Sequence, residues 1–384
     1  MTLTQVYIVN LGSAKMNIMI TGNMGYVGPA LISHIRDIVP HSTIIGVDSG
    51  LFAHCITQKN LPECAVDIQI FRDVRDLDRS LFEGVDAVVH LAAVSNDPMG
   101  FRFEAVTEEI NQKATIRVAE LAAQAGVKSF VFASSCSMYG YAEGGARAEN
   151  DGLNPLTAYA RSKVGAEIGL RDVCANSDMT VTALRFATAC GFSGRVRLDL
   201  VLNDFVASAL TTGRISVLSD GTPWRPLIHV KDMARAIEWA MSRASSAGDK
   251  FLAVNAGCEE WNYQVAELAE AVRATIPGTE IDINRNAPPD KRSYRVNFEL
   301  YRSLAPDHQP KVFLEEAIED IRDGLTAMGF ADPDYRASSF IRFNVLEAAL
   351  EQGRLQPDLR WTDLGVARSV RMPVFERVEA ANAA

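Results

Sequence analysis

The sequence predicts a doubly wound α/β fold, a parallel sheet accompanied by a smaller α/β lobe, and three observations predict it. From Asn17 to about residue 187, short apolar runs alternate with segments of helical periodicity. The runs are near-continuously apolar rather than alternating, the pattern of strands covered by helices on both faces. At 384 residues the chain also exceeds what one compact core usually supports, so a second lobe is expected.

The strand runs are NIMIT from Asn17, TIIGVD from Thr43, VDIQIF from Val66, DAVVHLA from Asp86, KSFVFAS from Lys128 and VTALRFA from Val181. Helical periodicity fills 26–37, 104–125 and 157–175. In the second of these, Ile110, Ala114, Val118, Leu121, Ala122 and Ala125 form one apolar stripe, and Gly126 stands where a C-cap belongs. The sheet domain is therefore expected at 17–187, after an extension at 1–16. Residues 226–255 return to it, through LIHVKDMARAIEWAM and FLAVN. Residues 188–225 and 256–330 are expected to make the second lobe. The tail at 331–384 has one helical stretch, near 339–352, and no assigned role.

With 48% hydrophobic and 22% charged residues, the composition is that of a globular protein. A net charge of -10 opposes binding to nucleic acid or to an anionic membrane, so an anionic ligand has to be held by local Arg or Lys residues and by backbone amides. The six cysteines lack paired spacing, which argues against a zinc site and for a reducing compartment. No apolar run is long enough to span a bilayer, and the N-terminus lacks a signal-peptide pattern; a cytoplasmic location is expected.

Gly22, Gly25 and Gly28 lie at three-residue spacing between a strand and a helix. Glycines there let the backbone approach a pyrophosphate, whose charge the helix N-terminal amides meet. Asp48 ends the second strand, 20 residues after Gly28, where a carboxylate can accept hydrogen bonds from an adenosine ribose. No Arg or Lys lies between Asp48 and Lys59 to receive a 2′-phosphate, which favours NAD over NADP. The bland alternative is that these glycines serve helix packing only.

Tyr159 and Lys163 share a helix face one turn apart. A phenol is a poor base at neutral pH, but a neighbouring ammonium and a bound nicotinamide cation would both favour the phenolate. Such a pair also arises by chance on exposed helices. The run Ser134-Ser-Cys-Ser-Met-Tyr-Gly140, which places hydroxyls at the carboxyl edge of the sheet, gives it context.

With these motifs the chain resembles an extended short-chain dehydrogenase/reductase of the NAD-dependent nucleotide-sugar epimerase/dehydratase family, over about residues 17–320. The resemblance implies a Rossmann-type NAD domain, with Tyr26 and Val27 in the glycine loop. It implies that Ser135, four residues before Tyr139-Gly140, contacts the reacting hydroxyl while Tyr159 and Lys163 perform the proton chemistry. Asp73 and Val74 would lie near the adenine, Leu91, Ala92 and Ala93 along the cofactor's ribose and phosphates, and Asn111 beside it. Asp73 could equally be a loop cap, and Asn111 a helix-surface residue. Arg225 resembles the family arginine that contacts a nucleotide diphosphate, with Arg292 as a second contact or a salt-bridged surface residue. Asn96, after the fourth strand, would read sugar hydroxyls or form a turn. A homodimer through the helices at 104–125 and 157–175 is implied as well.

Sugar 4,6-dehydratases of that family follow the catalytic Thr with Asp-Glu, whereas Cys136 and Ser137 stand here. Dehydration is thereby disfavoured, and so is decarboxylation, whose usual Glu is missing too. Epimerisation through a transient keto-sugar is the favoured reading. The alternatives are an NAD(P)H-dependent ketosugar reductase, with Cys136 as an added acid, and, in another class, a non-catalytic NAD-binding regulator.

Overall fold

The computed structural model describes residues 15–142, 144–246, 249–287 and 293–363. Most of the 1–16 extension, Arg292 and the end of the tail lie outside the described residues.

In chain order the elements are β1 (Asn17–Thr21), α1 (Gly28–Ile38), β2 (Thr43–Asp48), β3 (Ile68–Phe71), β4 (Ala87–His90), α2 (Asp97–Arg102), α3 (Glu104–Glu108), α4 (Thr115–Ala125), β5 (Ser129–Ser135), α5 (Ala158–Ala175), β6 (Thr180–Phe186) and β7 (Thr188–Cys190). There follow α6 (Val201–Thr212), β8 (Arg214–Val217), β9 (Trp224–His229), α7 (Val230–Ser242), β10 (Phe251–Ala256), β11 (Asn262–Gln264), α8 (Val265–Thr275), β12 (Glu280–Ile283), α9 (Glu299–Leu304), α10 (Leu314–Ala327) and α11 (Arg342–Glu351). The single helix expected at 104–125 is α3 and α4 joined by a π-helical segment, Glu109–Ala114. One extra residue per turn there leaves the apolar stripe nearly intact, so periodicity does not reveal it.

Seven strands form one parallel sheet in the order β3-β2-β1-β4-β5-β6-β10, as the alternating pattern predicts. Successive residues of one strand feed opposite layers. Ile18 and Ile20 pack with α1 and α7, whereas Met19 packs with α4 and α5. Both faces being covered, the strands are mostly apolar along their whole length, with polar residues gathered chiefly at their ends.

β7, β9 and β11 form a three-stranded sheet, and β8 pairs with β12. Of the segment expected to return to the large sheet, β10 joins it and α7 covers it, while β9 pairs in the smaller sheet. Beyond residue 330 the chain folds back: Tyr335 donates to Asp204 Oδ1 (2.6 Å), and Leu346, Ala349, Leu355 and Leu359 join the core beneath α4 and α5.

Asp320 on α10 fastens the second lobe. It accepts hydrogen bonds from the Phe192 amide (2.8 Å) and Lys231 Nζ (2.6 Å) and lies 3.1 Å from His229 Nε2. Burial disfavours its charge, but the bonds to His229 and Lys231 prevail and hold the carboxyl down at about 2. Its contribution to stability is therefore full above the ordinary 3.8 and is lost as pH falls through about 2. Thermal melts of the wild type and Asp320→Asn should differ most above about pH 4 and converge toward pH 2. A difference constant across that range would show that the charge plays no part.

Candidate active site

At the carboxyl ends of β1 and β4, where the strand order reverses, a cleft opens between the sheet and the second lobe. Of the residues expected to hold cofactor or substrate, those described all line this cleft except Gly28, Asn111 and Arg225.

The glycine loop is built for close approach. Gly22 (φ +74°) follows β1, and a Cβ on it would lie 2.5 Å from the Ala92 nitrogen. A Cβ on Gly28 would lie 1.9 Å from the Asn23 carbonyl oxygen, so Gly28 serves the packing of loop on helix. At Gly25 only the Gly22 carbonyl comes near, at 3.1 Å, and the backbone faces the cleft. Val27 precedes α1 without a side-chain cap, and the first turn holds no acidic residue, which leaves its amides to an anion. Tyr26 is buried; its hydroxyl donates to Gly191 O (2.6 Å) and accepts from Asn203 Nδ2 (3.0 Å), tying the loop to the second lobe.

Gly28→Ala should lower stability by about 1–3 kcal/mol and reduce the NAD carried by the purified protein. Thermal melts and the NAD released on denaturation measure both; unchanged NAD content would remove the loop from the cofactor site.

Asp48 accepts from the Met24 amide (3.0 Å) and the Gly50 amide (2.8 Å), which orient both oxygens at the cleft wall. Burial raises its pKa, and the two amides oppose that rise. An acceptor held in this way suits ribose hydroxyls, so glycine cradle, bare helix terminus and Asp48 together fit a dinucleotide. Asp73 lines the cleft but spends its carboxylate on Arg75 (2.6 Å), capping a short turn in which Val74 is buried. Leu91, Ala92 and Ala93 form the floor after β4. Asn111 is buried and acts at one remove: it accepts from the Val94 amide (2.8 Å) and donates to the Val94 carbonyl (2.9 Å), fixing that floor.

At the other end of the cleft, β5 delivers Ser135, and α5 delivers Tyr159 and Lys163. Ser135 donates to Ser137 Oγ (2.9 Å) and lines the cleft beside the Tyr159 phenol. Lys163 donates to the Ala133 carbonyl (2.7 Å), with its Nζ 4.6 Å from the Phe132 ring centre and 5.6 Å from that of Tyr159. Burial pushes Tyr159 up to about 12, and the Ser135 hydroxyl and the Arg197 charge draw it back. Burial also lowers Lys163 to about 7, opposed by Glu167. An ammonium that depresses the phenol, as expected from the spacing, is thus weakened by its own desolvation.

Two networks were not foreseen. Arg197, buried in the loop after β7, pairs with Asp199 (2.8 Å) and donates to Ser95 Oγ (3.0 Å). Asn96 donates to the same Asp199 (2.6 Å) while its carbonyl caps α2 through the Met99 amide (2.8 Å). Behind Ser135, Tyr159 and Lys163, Glu167 accepts from Ser134 Oγ (2.5 Å) and from Arg185 Nη2 (2.7 Å), and Arg185 donates to the Tyr139 hydroxyl (3.1 Å). The Arg-x-Arg-x-Asp run at 195–199 was the available signal for the first network; the second had none beyond a Glu one turn after Lys163.

Cys136 does not face the cleft. Its Sγ lies 3.0 Å from the Arg185 carbonyl, and burial pushes the thiol well above its ordinary value. Arg225, on β9, donates to the Trp224 carbonyl (2.9 Å), and its charge acts on Tyr294, which is buried in the cleft wall.

Known proteins match this geometry. A UDP-glucose epimerase of Bacillus subtilis, named YtcB and called uncharacterized, is 27% identical over 242 residues, 61% of this chain and 75% of its own. UDP-glucuronic acid decarboxylase 6 of Arabidopsis thaliana is 24% identical, over 80% of this chain and 90% of its own. The solved structure of MoeE5 in complex with UDP-glucuronic acid and NAD superposes with a TM-score of 0.68 at 24% identity, covering 81% of this chain and 99% of that one. Residues 18–257 match the model of the NAD dependent epimerase/dehydratase family. The chain belongs to that family, as an NAD-dependent enzyme of the extended short-chain dehydrogenase/reductase type.

Proposed function

We propose that the protein is a nucleotide-sugar epimerase that works through a transient keto-sugar. The observation that carries this reading is a complete Ser135–Tyr159–Lys163 site with no carboxylate at 136 or 137. Ser135 and Tyr159 would hold one sugar hydroxyl between them, and Tyr159 would take its proton. Lys163, anchored on Ala133, would supply positive charge beside the phenolate as it forms. A bound NAD would supply the hydride acceptor for the sugar carbon, and the same group could return the hydride to the opposite face. Arg225 would offset part of the substrate's charge from β9, while Arg197, paired with Asp199, would hold the loop on the sugar side of the cleft in place.

The reductase reading loses its added acid, since Cys136 points into the core. Asp97 is the cleft carboxylate whose charge is felt at Tyr159, which keeps elimination or decarboxylation, reactions named among the relatives, as the second reading. A homodimer through α4 and α5 is part of the proposal, with Ile168 on α5 exposed to meet a partner. So is a cytoplasmic location; among the described residues no helix is long and apolar enough to cross a membrane.

The test incubates the purified protein with UDP-glucose, UDP-glucuronic acid and dTDP-glucose, following reduced nicotinamide by absorbance and products by NMR. An epimer formed without net nicotinamide turnover is expected. Stoichiometric consumption of NADH, loss of water or release of CO2 would each replace the epimerase reading.

A further inference from the structure

Residues 335–361 lie beyond the family match, which ends at 257, yet they fold onto the adenosine half of the cleft. Trp361 Nε1 donates to the Ser49 carbonyl (2.6 Å), next to Asp48. Arg75, the partner of Asp73, donates to the Asp358 carbonyl (3.0 Å), and Arg360 pairs with Asp76. The segment is thus fastened to the turns after β2 and β3, on either side of the residues expected to hold ribose and adenine.

Three of its side chains form part of the cleft wall: Arg342, Leu346 and Leu359. Leu359 is the only described non-glycine residue with positive φ, at 63°. A buried leucine held in the left-handed region is strained, and such strain persists where the surroundings over-determine it. Here it turns Leu359 into the wall between two fastened residues, Asp358 and Arg360.

Arg342 is the stronger observation. It is 1% exposed and stacks over Phe52 at 5.1 Å, yet among the described residues it forms no ion pair. Its guanidinium donates to the carbonyls of Ser339 (3.2 Å), Arg195 (2.9 Å) and Val196 (3.2 Å) and touches Cys55. The neighbouring arginines are neutralised, Arg195 by Glu63 and Arg197 by Asp199. A buried cation without a counter-ion is costly unless an anion completes the site. The anion this cleft receives is the diphosphate of the dinucleotide.

We propose that residues 335–361 are a strap that completes the NAD site, Arg342 facing the cofactor's diphosphate and Leu346 and Leu359 closing over its adenosine, so that the dinucleotide is retained from one turnover to the next. The inference rests on NAD dependence and not on the choice between epimerase and the other readings. Its readout needs no sugar.

The full-length protein is loaded with radiolabelled NAD, an excess of unlabelled NAD is added, and retained label is followed by rapid gel filtration. Arg342→Met should raise the dissociation rate about tenfold or more, and Arg342→Lys should restore part of the loss. The pair Arg360→Ala/Trp361→Ala, which opens the fastening without touching the wall, should also speed release. A second measurement needs no variant: NAD should protect the segment after residue 330 of the wild-type protein from limited proteolysis. Dissociation rates equal to wild type in folded variants, or cleavage indifferent to NAD, would overturn the proposal.

Discussion

Tyr159→Phe should lower kcat for sugar turnover by about 10²- to 10⁴-fold while leaving bound NAD unchanged. The ring remains to fill its place over Lys163, and Ser135 remains to bind a hydroxyl, so only the proton acceptor is lost. The measurement pairs steady-state turnover with the NAD content of the same preparation. Full turnover by the variant would withdraw Tyr159 from the chemistry, and NAD binding with no turnover even in the wild type would favour a regulator that only binds the cofactor.

The second large effect is one of stability. Arg185→Met should cost about 3–5 kcal/mol in urea unfolding, because it leaves Glu167 buried without its cation. Adding Glu167→Gln should recover part of the loss, since a neutral amide can still accept from Ser134. The variant also informs on catalysis. Glu167 opposes the lowering of Lys163 from one helical turn away, and without Arg185 its charge acts on that ammonium unshared. The Lys163 titration should then move above about 7, seen as a shift of the pH profile of kcat. A single mutant as stable as wild type would mean that the pair is not the anchor its geometry describes.

The parallel sheet was legible because helices on both faces make its strands mostly apolar, and Gly22, Gly25, Asp48, Ser135, Tyr159 and Lys163, named from their spacing around two strand ends, all line one cleft. Asn111 was read as a cofactor contact or a surface residue; it is buried and holds the Val94 backbone in the cleft floor. Its bonds run to a backbone seventeen positions away, and side-chain spacing carries no record of such a partner. Glu167 and Arg185 escaped for a related reason: a charge in a helix or strand reads as solvent-facing until the opposite charge is seen buried beside it. The helix expected near 339–352 is α11, but the docking of the tail escaped because α11 has little apolar asymmetry and one of its buried residues, Arg342, belongs to a type least expected in a core.

The bond from Tyr26 into the second lobe has a consequence of its own. One phenol belongs at once to the glycine loop and, through Gly191 and Asn203, to the loop and helix that follow β7. On the proposed function the two ligands would share a fixed reference point. A displacement of the glycine loop that breaks these bonds would then be felt on the sugar side, and by thermodynamic reciprocity any change it makes in affinity for one ligand would be matched in the other. The two lobes are read as separate along the sequence, but Tyr26 fastens the loop of one to the other.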